Sequence, residues 1–327
     1  MNVNNESVSG AFGGDALLGK DSVWTPEVER FCQKIGRCMQ LNLPGCHAYG
    51  VQRSGKSEAL IFFAQSVADF AGGPAFVTIL DLENGLADRE SSIIAEWLSQ
   101  EQVASNANTP ARLRKALHAY FLEQMALRHT KTIVLVVDEA QNCTRKHLAQ
   151  ILALGNRLTK LRYRVFTLLV GQVELRSYVE SFQNMNEMQL VGRFFECEHE
   201  FLPIHPSEID QVLRAFEADV ACDDGSTQPP PVAAIFPDAW AGGWRPSAWG
   251  PALVEGLARF ATSCGLSKDQ RVGMQHLRST FVAMLHRARS LDDPHTPMTP
   301  EVVVGYLEEI GLRNTWQRYA ALGQKQA

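Results

Sequence analysis

The run Gly50-Val51-Gln52-Arg53-Ser54-Gly55-Lys56-Ser57 spells G-x-x-x-x-G-K-[ST] and constrains the fold more than any other stretch of the chain. In this pattern backbone N–H groups wrap a polyanion, so Gly50 and Gly55 supply turns that a Cβ would obstruct, and Val51, Gln52, Arg53 and Ser54 contribute the amides between them. Lys56 reaches the β and γ phosphates of a nucleoside triphosphate, and the Ser57 hydroxyl is placed to ligate Mg²⁺. The flanks support this. Residues 46–49 read as a short strand, and residues 57–70 as an amphipathic helix carrying Leu60, Ile61, Phe63, Ala64 and Val67 at helical spacing. Strand, glycine loop and helix in that order put the phosphates at a helix N-terminus, where free amides favour anions.

A second anchor lies downstream. Thr132-Ile133-Val134-Leu135-Val136-Val137 is the unbroken apolar run expected of a strand buried on both faces, and it ends on Asp138 and Glu139. In a phosphate-loop ATPase the first such carboxylate holds the Mg²⁺ shell and the second orients or deprotonates the attacking water. A further strand is expected over 165–170, ending at Gly171-Gln172, where the Gln172 side chain either senses the γ phosphate or simply belongs to a helix-capping turn. Another strand over 75–80 and helices over 87–98, 110–128 and 144–159 fill the intervals of a parallel α/β sheet.

The remaining chain divides coarsely. Residues 1–22 read as a disordered tail, and Thr25-Pro26 as the start of a helix through Val28, Phe31, Cys32, Ile35 and Met39. A length of 327 residues, 45% of them hydrophobic, suggests one large domain, 23–205, and a smaller helical one, 206–327. The latter contains a Pro/Gly/Trp-rich interruption at about 221–250 and helices near 251–262, 271–289 and 300–312. Trp240, Trp244 and Trp249 within it are expected to pack on the small domain rather than to form a partner surface.

The net charge of −5 argues against a uniformly basic surface but leaves room for local patches. The two candidates for DNA contact are Arg112, Arg114 and Lys115, and Arg157, Lys160, Arg162 and Arg164 with Arg145 and Lys146 upstream; a solvated helix face is the alternative for either. Seven cysteines show no C-x-x-C pair, so buried reduced thiols are expected, and the nearest approach to a metal-ligand cluster is Cys197, His199 and His205. No membrane-length apolar stretch and no signal-peptide pattern occur, which leads to the expectation of a cytoplasmic protein.

Together the phosphate loop, the added strand, VVDEAQN at 136–142, LLVGQVELRS at 168–177 and GRFFECEHEFLPIHPSE at 192–208 resemble an AAA+ ATPase. Within that group they are similar to the TnsC/TniB transposition regulators of the sort that serve CRISPR-associated transposons, with the secretion ATPase ExeA as a near relative. The resemblance implies an AAA+ P-loop ATPase core with a parallel five-stranded sheet, plus a small C-terminal α-helical lid. It implies ATP and Mg²⁺ held between subunits of a ring or helical filament, with Lys56, Ser57, Asp138, Glu139 and Gln172 from one subunit and Arg193 reaching from the surface of the next as an arginine finger. It implies assembly on double-stranded DNA, contact with a transposase and with a target-selection protein of the TniQ or TnsD type, and disassembly driven by hydrolysis. Two departures stand out. Gln172 replaces the usual Asn, Ser or Thr, and the lid run from Gln270 to Arg278 lacks a clean Gly-x-x-Arg second sensor, so that neither Arg271 nor Arg278 is assigned that role. An ExeA-like ATPase acting on protein partners in secretion or envelope assembly, or an ATPase of an antiviral defence system, would share these motifs.

Overall fold

A computed structural model describes residues 23–82, 84–104, 109–221 and 226–326. The expected tail at 1–22, the loop residues 105–108 and Cys222 lie outside the described residues. The chain divides into two compact units, one of residues 27–202 and one of residues 203–327 together with the segment before Glu27.

The first unit is a parallel sheet covered by helices. In chain order it comprises α1 (Pro26–Gln40), β1 (Gly45–Tyr49), α2 (Lys56–Ala71), β2 (Phe76–Asp81), α3 (Ser92–Gln100), α4 (Pro110–Leu127), β3 (Thr132–Asp138), α5 (Arg145–Lys160), β4 (Arg164–Gly171), α6 (Leu175–Asn184) and β5 (Glu198–Glu200). The five strands are ordered β2-β3-β4-β1-β5, and every pairing is parallel. Composition accounts for the order. β3 and β4 are buried along almost their whole length and take the centre, whereas β2 alternates buried and half-buried residues and β5 spans three largely exposed positions, as befits edges. Because all strands run one way, their C-terminal tips share one end of the sheet. Gly50, Glu139 and Gln172, each just beyond a strand, therefore converge there although the sequence separates them widely.

Two helices begin as their sequence predicts. Thr109 accepts a hydrogen bond from the Arg112 amide ahead of Pro110, and Thr144 caps α5 through the His147 amide while the His147 ring returns the bond. One helix differs. Periodicity predicts a helix over 87–98, but α3 starts only at Ser92, whose hydroxyl turns back onto the carbonyls of Ala87 and Arg89 and closes 87–91 into turns. Inside the core the indole of Trp97 donates to Thr78 Oγ1 at 2.7 Å, so a fully buried polar ring atom is satisfied.

The second unit is helical: α7 (Ile209–Phe216), α8 (Gly250–Ser263), α9 (Met274–Ser290), α10 (Pro300–Glu309) and α11 (Leu312–Gln326). Helical periodicity in the sequence ends at 312 and does not reveal α11. Gly311, at φ +74°, ends α10 in the left-handed conformation and lets the chain restart at once. Trp316 on α11 then packs against Phe260 and donates to the Arg271 carbonyl at 3.1 Å. Trp244 and Trp249 meet edge to face, and Arg245 stacks 3.7 Å over Trp240, so the tryptophans of the interruption cover this helical core. Among the described residues no helix is long and apolar enough to cross a membrane.

At Gly256, α8 and α10 approach closely. A Cβ built there would stand 2.5 Å from Val303 Cγ1 and 3.1 Å from the Pro300 carbonyl. The substitution Gly256→Ala is expected to cost about 1–3 kcal/mol through overpacking. In urea denaturation, Val303→Ala added to that variant should not restore the loss, because the Val303 Cβ that alanine keeps would itself stand 2.6 Å from the new methyl. If Gly256→Ala unfolds at the wild-type midpoint, the close approach is wrong.

Candidate functional site

The phosphate loop links β1 to α2. Gly55 adopts φ +105°, which a side chain would strain, and Gly50 lies so close to the Phe201 carbonyl that a Cβ would overlap it. Arg53 also adopts a positive φ, 61°, leaving its side chain exposed at the loop's crest. Ser54 donates to the Val51 carbonyl at 2.8 Å and closes the loop. Lys56 is buried at the first position of α2, and its ammonium donates to the carbonyls of Gly50 at 3.0 Å and Val51 at 2.8 Å. Burial lowers its pKa, and the carboxylates of Asp138, Glu139 and Glu174 pull the other way. A cleft of about 450 Å³ opens over these residues, lined by Gln52, Arg53, Gly55, Lys56, Ser57, Glu58, Glu139 and Gln172.

Ser57 Oγ donates to Asp138 Oδ2 at 2.7 Å, bringing together the hydroxyl and the carboxylate expected to face Mg²⁺. Asp138 is buried, which raises its pKa, while the Ser57 hydroxyl and the Glu139 amide, 2.9 Å from Oδ1, oppose that rise. A desolvated carboxylate beside a hydroxyl is the hard-oxygen pair a small divalent cation uses, and a bound cation would relieve the cost of the buried charge. The donor set therefore fits Mg²⁺.

Glu139 stands in the left-handed region, at φ 51° and ψ 37°. Such a conformation in a residue with a side chain costs of order 1 kcal/mol and persists only where the surroundings impose it. Here glutamine side chains do so. Gln141 and Gln172 both donate to Glu139 Oε2, the latter at 3.2 Å. Gln141 Oε1 accepts from the Gln172 backbone N–H at 3.0 Å, and Gln172 Oε1 accepts from Gln52 Nε2 at 2.9 Å. Gly171 makes this arrangement possible, because a Cβ there would collide with Gln141 Oε1. An amide chain thus runs from the phosphate loop through the tip of β4 to the carboxylate at the tip of β3. The sequence points to Gln172 but not to Gln141 or to the part played by Gln52. The available signal was Gly171, which exposes the end of β4 to a side chain from the β3 tip.

Arg193 is half-buried, with one guanidinium nitrogen fully covered. It lies in a π-helical turn, Val191–Phe195, whose carbonyl at Arg193 abuts Gly45 at the start of β1, the end opposite the phosphate loop. Its guanidinium folds against α5 beside Gly155, where a Cβ would stand 3.1 Å from Nη2, and that nitrogen is buried without a hydrogen-bond partner among the described residues. Burial lowers its pKa. From the opposite end of β1 it does not line the cleft of its own chain.

The two basic clusters are partly joined. Arg114 on α4 and Arg157 on α5 line one pocket of about 220 Å³ with Ile94, Gln150, Ala153 and Leu154, and Arg114 donates to Gln150 at 3.4 Å. Arg112, Lys115, Lys160 and Arg162 are exposed, and Arg164 lines a different pocket with His129 and Lys131. The supposed metal cluster is not formed as read: His199 pairs with Glu27 at 2.9 Å, His205 falls in the other unit, and Cys197 instead meets Cys38 and Cys46.

Residues 46–179 match the family described as an AAA domain. A sequence comparison with curated proteins finds no match. Among solved structures, the chain is similar to the ORC2 protein of Aeropyrum pernix in ADPNP and ADP complexes, at TM-score 0.57 and 12% identity, over 89% of this chain and 70% of that one. It is also similar to the Aeropyrum pernix ORC1 protein in complex with DNA, at TM-score 0.51 and 11% identity, over 91% of this chain and 69% of that one. At these identities the likeness is one of fold. The five-stranded parallel sheet with a phosphate loop after β1 is the AAA+ P-loop fold, and the protein is an ATPase built on it.

Proposed function

We propose that this ATPase is a nucleotide-controlled assembly factor acting on double-stranded DNA, and that it regulates transposition as the TnsC/TniB resemblance implies. The observation that carries the ATP-switch reading is the amide chain from Gln52 through Gln172 to Glu139, which couples what the phosphate loop holds to the carboxylate that would act on water. ATP would be gripped by the loop amides and Lys56, with Ser57 and Asp138 holding Mg²⁺, which supplies charge neutralisation at the phosphates. Glu139 orients and deprotonates the attacking water. Its carboxylate now accepts from two amides, so it must be released, in part, from Gln172 or Gln141 to take a proton. A shift of Gln52 is the means by which an occupied loop would loosen that grip.

Arg193 cannot serve its own site, being at the far end of β1, and a finger role requires a neighbouring subunit and rotation of the guanidinium out from Gly155. The buried, unpartnered nitrogen favours such a release. DNA contact is supported by Arg114 and Arg157 sharing one pocket on the α4–α5 face, and by the similar ORC1 protein having been solved in complex with DNA. Recruitment of a transposase and of a TniQ- or TnsD-type selector rests on the resemblance alone. An ExeA-like role on protein partners, or one in antiviral defence, would use the same nucleotide site without the DNA face.

Three outcomes test the reading. Lys56→Ala should abolish detectable ATP binding in calorimetry. Glu139→Gln should bind ATP normally but turn it over at least ~10²-fold more slowly; turnover at the wild-type rate would remove Glu139 from catalysis. Alanine at Arg114 and at Arg157 should weaken ATP-dependent DNA binding uniformly across sequences and flatten its salt dependence by about one unit of slope for each phosphate left without its arginine. Unchanged affinity in both variants would move the DNA face elsewhere.

A further inference from the structure

Cys38 in the last turn of α1, Cys46 in β1 and Cys197 just ahead of β5 are far apart in sequence and meet in the first unit. All three are buried, and their sulfurs lie within 4.8 Å of one another. Cys38 Sγ and Cys197 Sγ are 2.8 Å apart. That separation discriminates between two uses of a thiol cluster. Three thiolates around one zinc ion at about 2.3 Å must stand roughly 3.8 Å from each other, whereas a disulfide needs about 2.05 Å. The Cys38–Cys197 pair is therefore on the disulfide side of the midpoint. The group also offers three ligands among the described residues, where structural zinc takes four.

We propose that Cys38 and Cys197 form an oxidation-sensitive dithiol, closed to a disulfide by a hydroperoxide, with Cys46 as a third thiol able to exchange into it. Local electrostatics suit the step. Hydrogen bonds from the Cys46 and Cys38 thiols, with the Lys34 ammonium nearby, lower the Cys197 pKa below the ordinary thiol value against the opposing pull of burial, so Cys197 ionises ahead of Cys46. Cys46 is pushed well above the ordinary thiol value by its bonds to the other two sulfurs and by burial, and so remains the protonated donor. The Cys197 thiolate attacks the peroxide, the O–O bond breaks and hydroxide departs, leaving a sulfenic acid. Cys38 Sγ then attacks that sulfur; the S–O bond breaks, the departing hydroxide takes the Cys38 thiol proton to give one water, and the hydroxide of the first step takes from solvent the proton that Cys197 gave up on ionising to give the second. Two thiols are oxidised and one hydrogen peroxide is reduced.

The bond would tie α1 to the segment between the Arg193 turn and β5. β5 pairs with β1, and the Phe201 carbonyl just past β5 supports Gly50 of the phosphate loop. Closing the dithiol thus stiffens the edge of the sheet that backs the nucleotide site.

The test exposes the whole folded chain to hydrogen peroxide, quenches it by alkylation in denaturant and maps the peptides without reduction. The expected result is the loss of two alkylatable thiols per chain, recovered as a Cys38–Cys197 link, with Cys46, buried Cys32 and half-exposed Cys264 still alkylated. Cys38→Ser should divert the link to Cys46–Cys197, and Cys197→Ser should leave both remaining sulfurs of the cluster, Cys38 and Cys46, unlinked. The proposal is overturned if all three stay alkylatable at peroxide concentrations that oxidise a small dithiol control. It is equally overturned if the purified chain carries one equivalent of a thiophilic metal that protects all three.

Discussion

The hydrogen bond from Ser57 to Asp138 fixes the nucleotide end of this protein, because it joins the first turn of α2 to the tip of β3 across 81 residues of sequence. Everything else at that end is arranged about it. Asp138 is buried and thus tolerates few partners, and it accepts from the Ser57 hydroxyl and the Glu139 amide. With Asp138 held, Glu139 is turned into the left-handed region, which presents its carboxylate to Gln141 and Gln172 and not to solvent alone. The small backbone strain at Glu139 is therefore part of how the carboxylate is aimed.

A parallel sheet converts this local geometry into a shared site. Strands that all run one way deliver their C-terminal ends to one edge, and the order β2-β3-β4-β1-β5 sets the phosphate-loop strand beside β4 and one strand from β3. Gln172, at the tip of β4, is thus interposed between Gln52 and Glu139. It spans the gap because glutamine is one methylene longer than asparagine, and its amide can donate and accept at once. The departure from the expected residue type has a geometric counterpart in the paired glutamines.

Much of this was legible in the sequence where a motif needs specific residues at fixed spacing. Gly50 to Ser57 and the apolar run ending in Asp138-Glu139 placed a loop and two strands with little error, since glycine conformations and fully buried strands leave strong local marks. What was illegible depends on tertiary placement. Arg193 stands in a π-helical turn of five residues with its guanidinium beside Gly155, and nothing periodic in Val191–Phe195 announces that turn. The three sulfurs meet only because α1 and the segment before β5 converge on β1, a meeting of residues 159 apart that no cysteine spacing reveals. Arg114 and Arg157 share a pocket for the same reason, through the packing of α4 on α5. The start of α3 was misplaced because Ser92 satisfies itself on nearby carbonyls, a local competition that helical periodicity does not register.

On the proposed function, a triphosphate in the cleft over Lys56 decides whether copies of this chain stay together. Sedimentation velocity of the wild-type protein with DNA and ATP, with ADP, and with no nucleotide tests it most directly. A large assembly is expected with ATP, falling back to small species with ADP or with none. An identical distribution in all three conditions would contradict it.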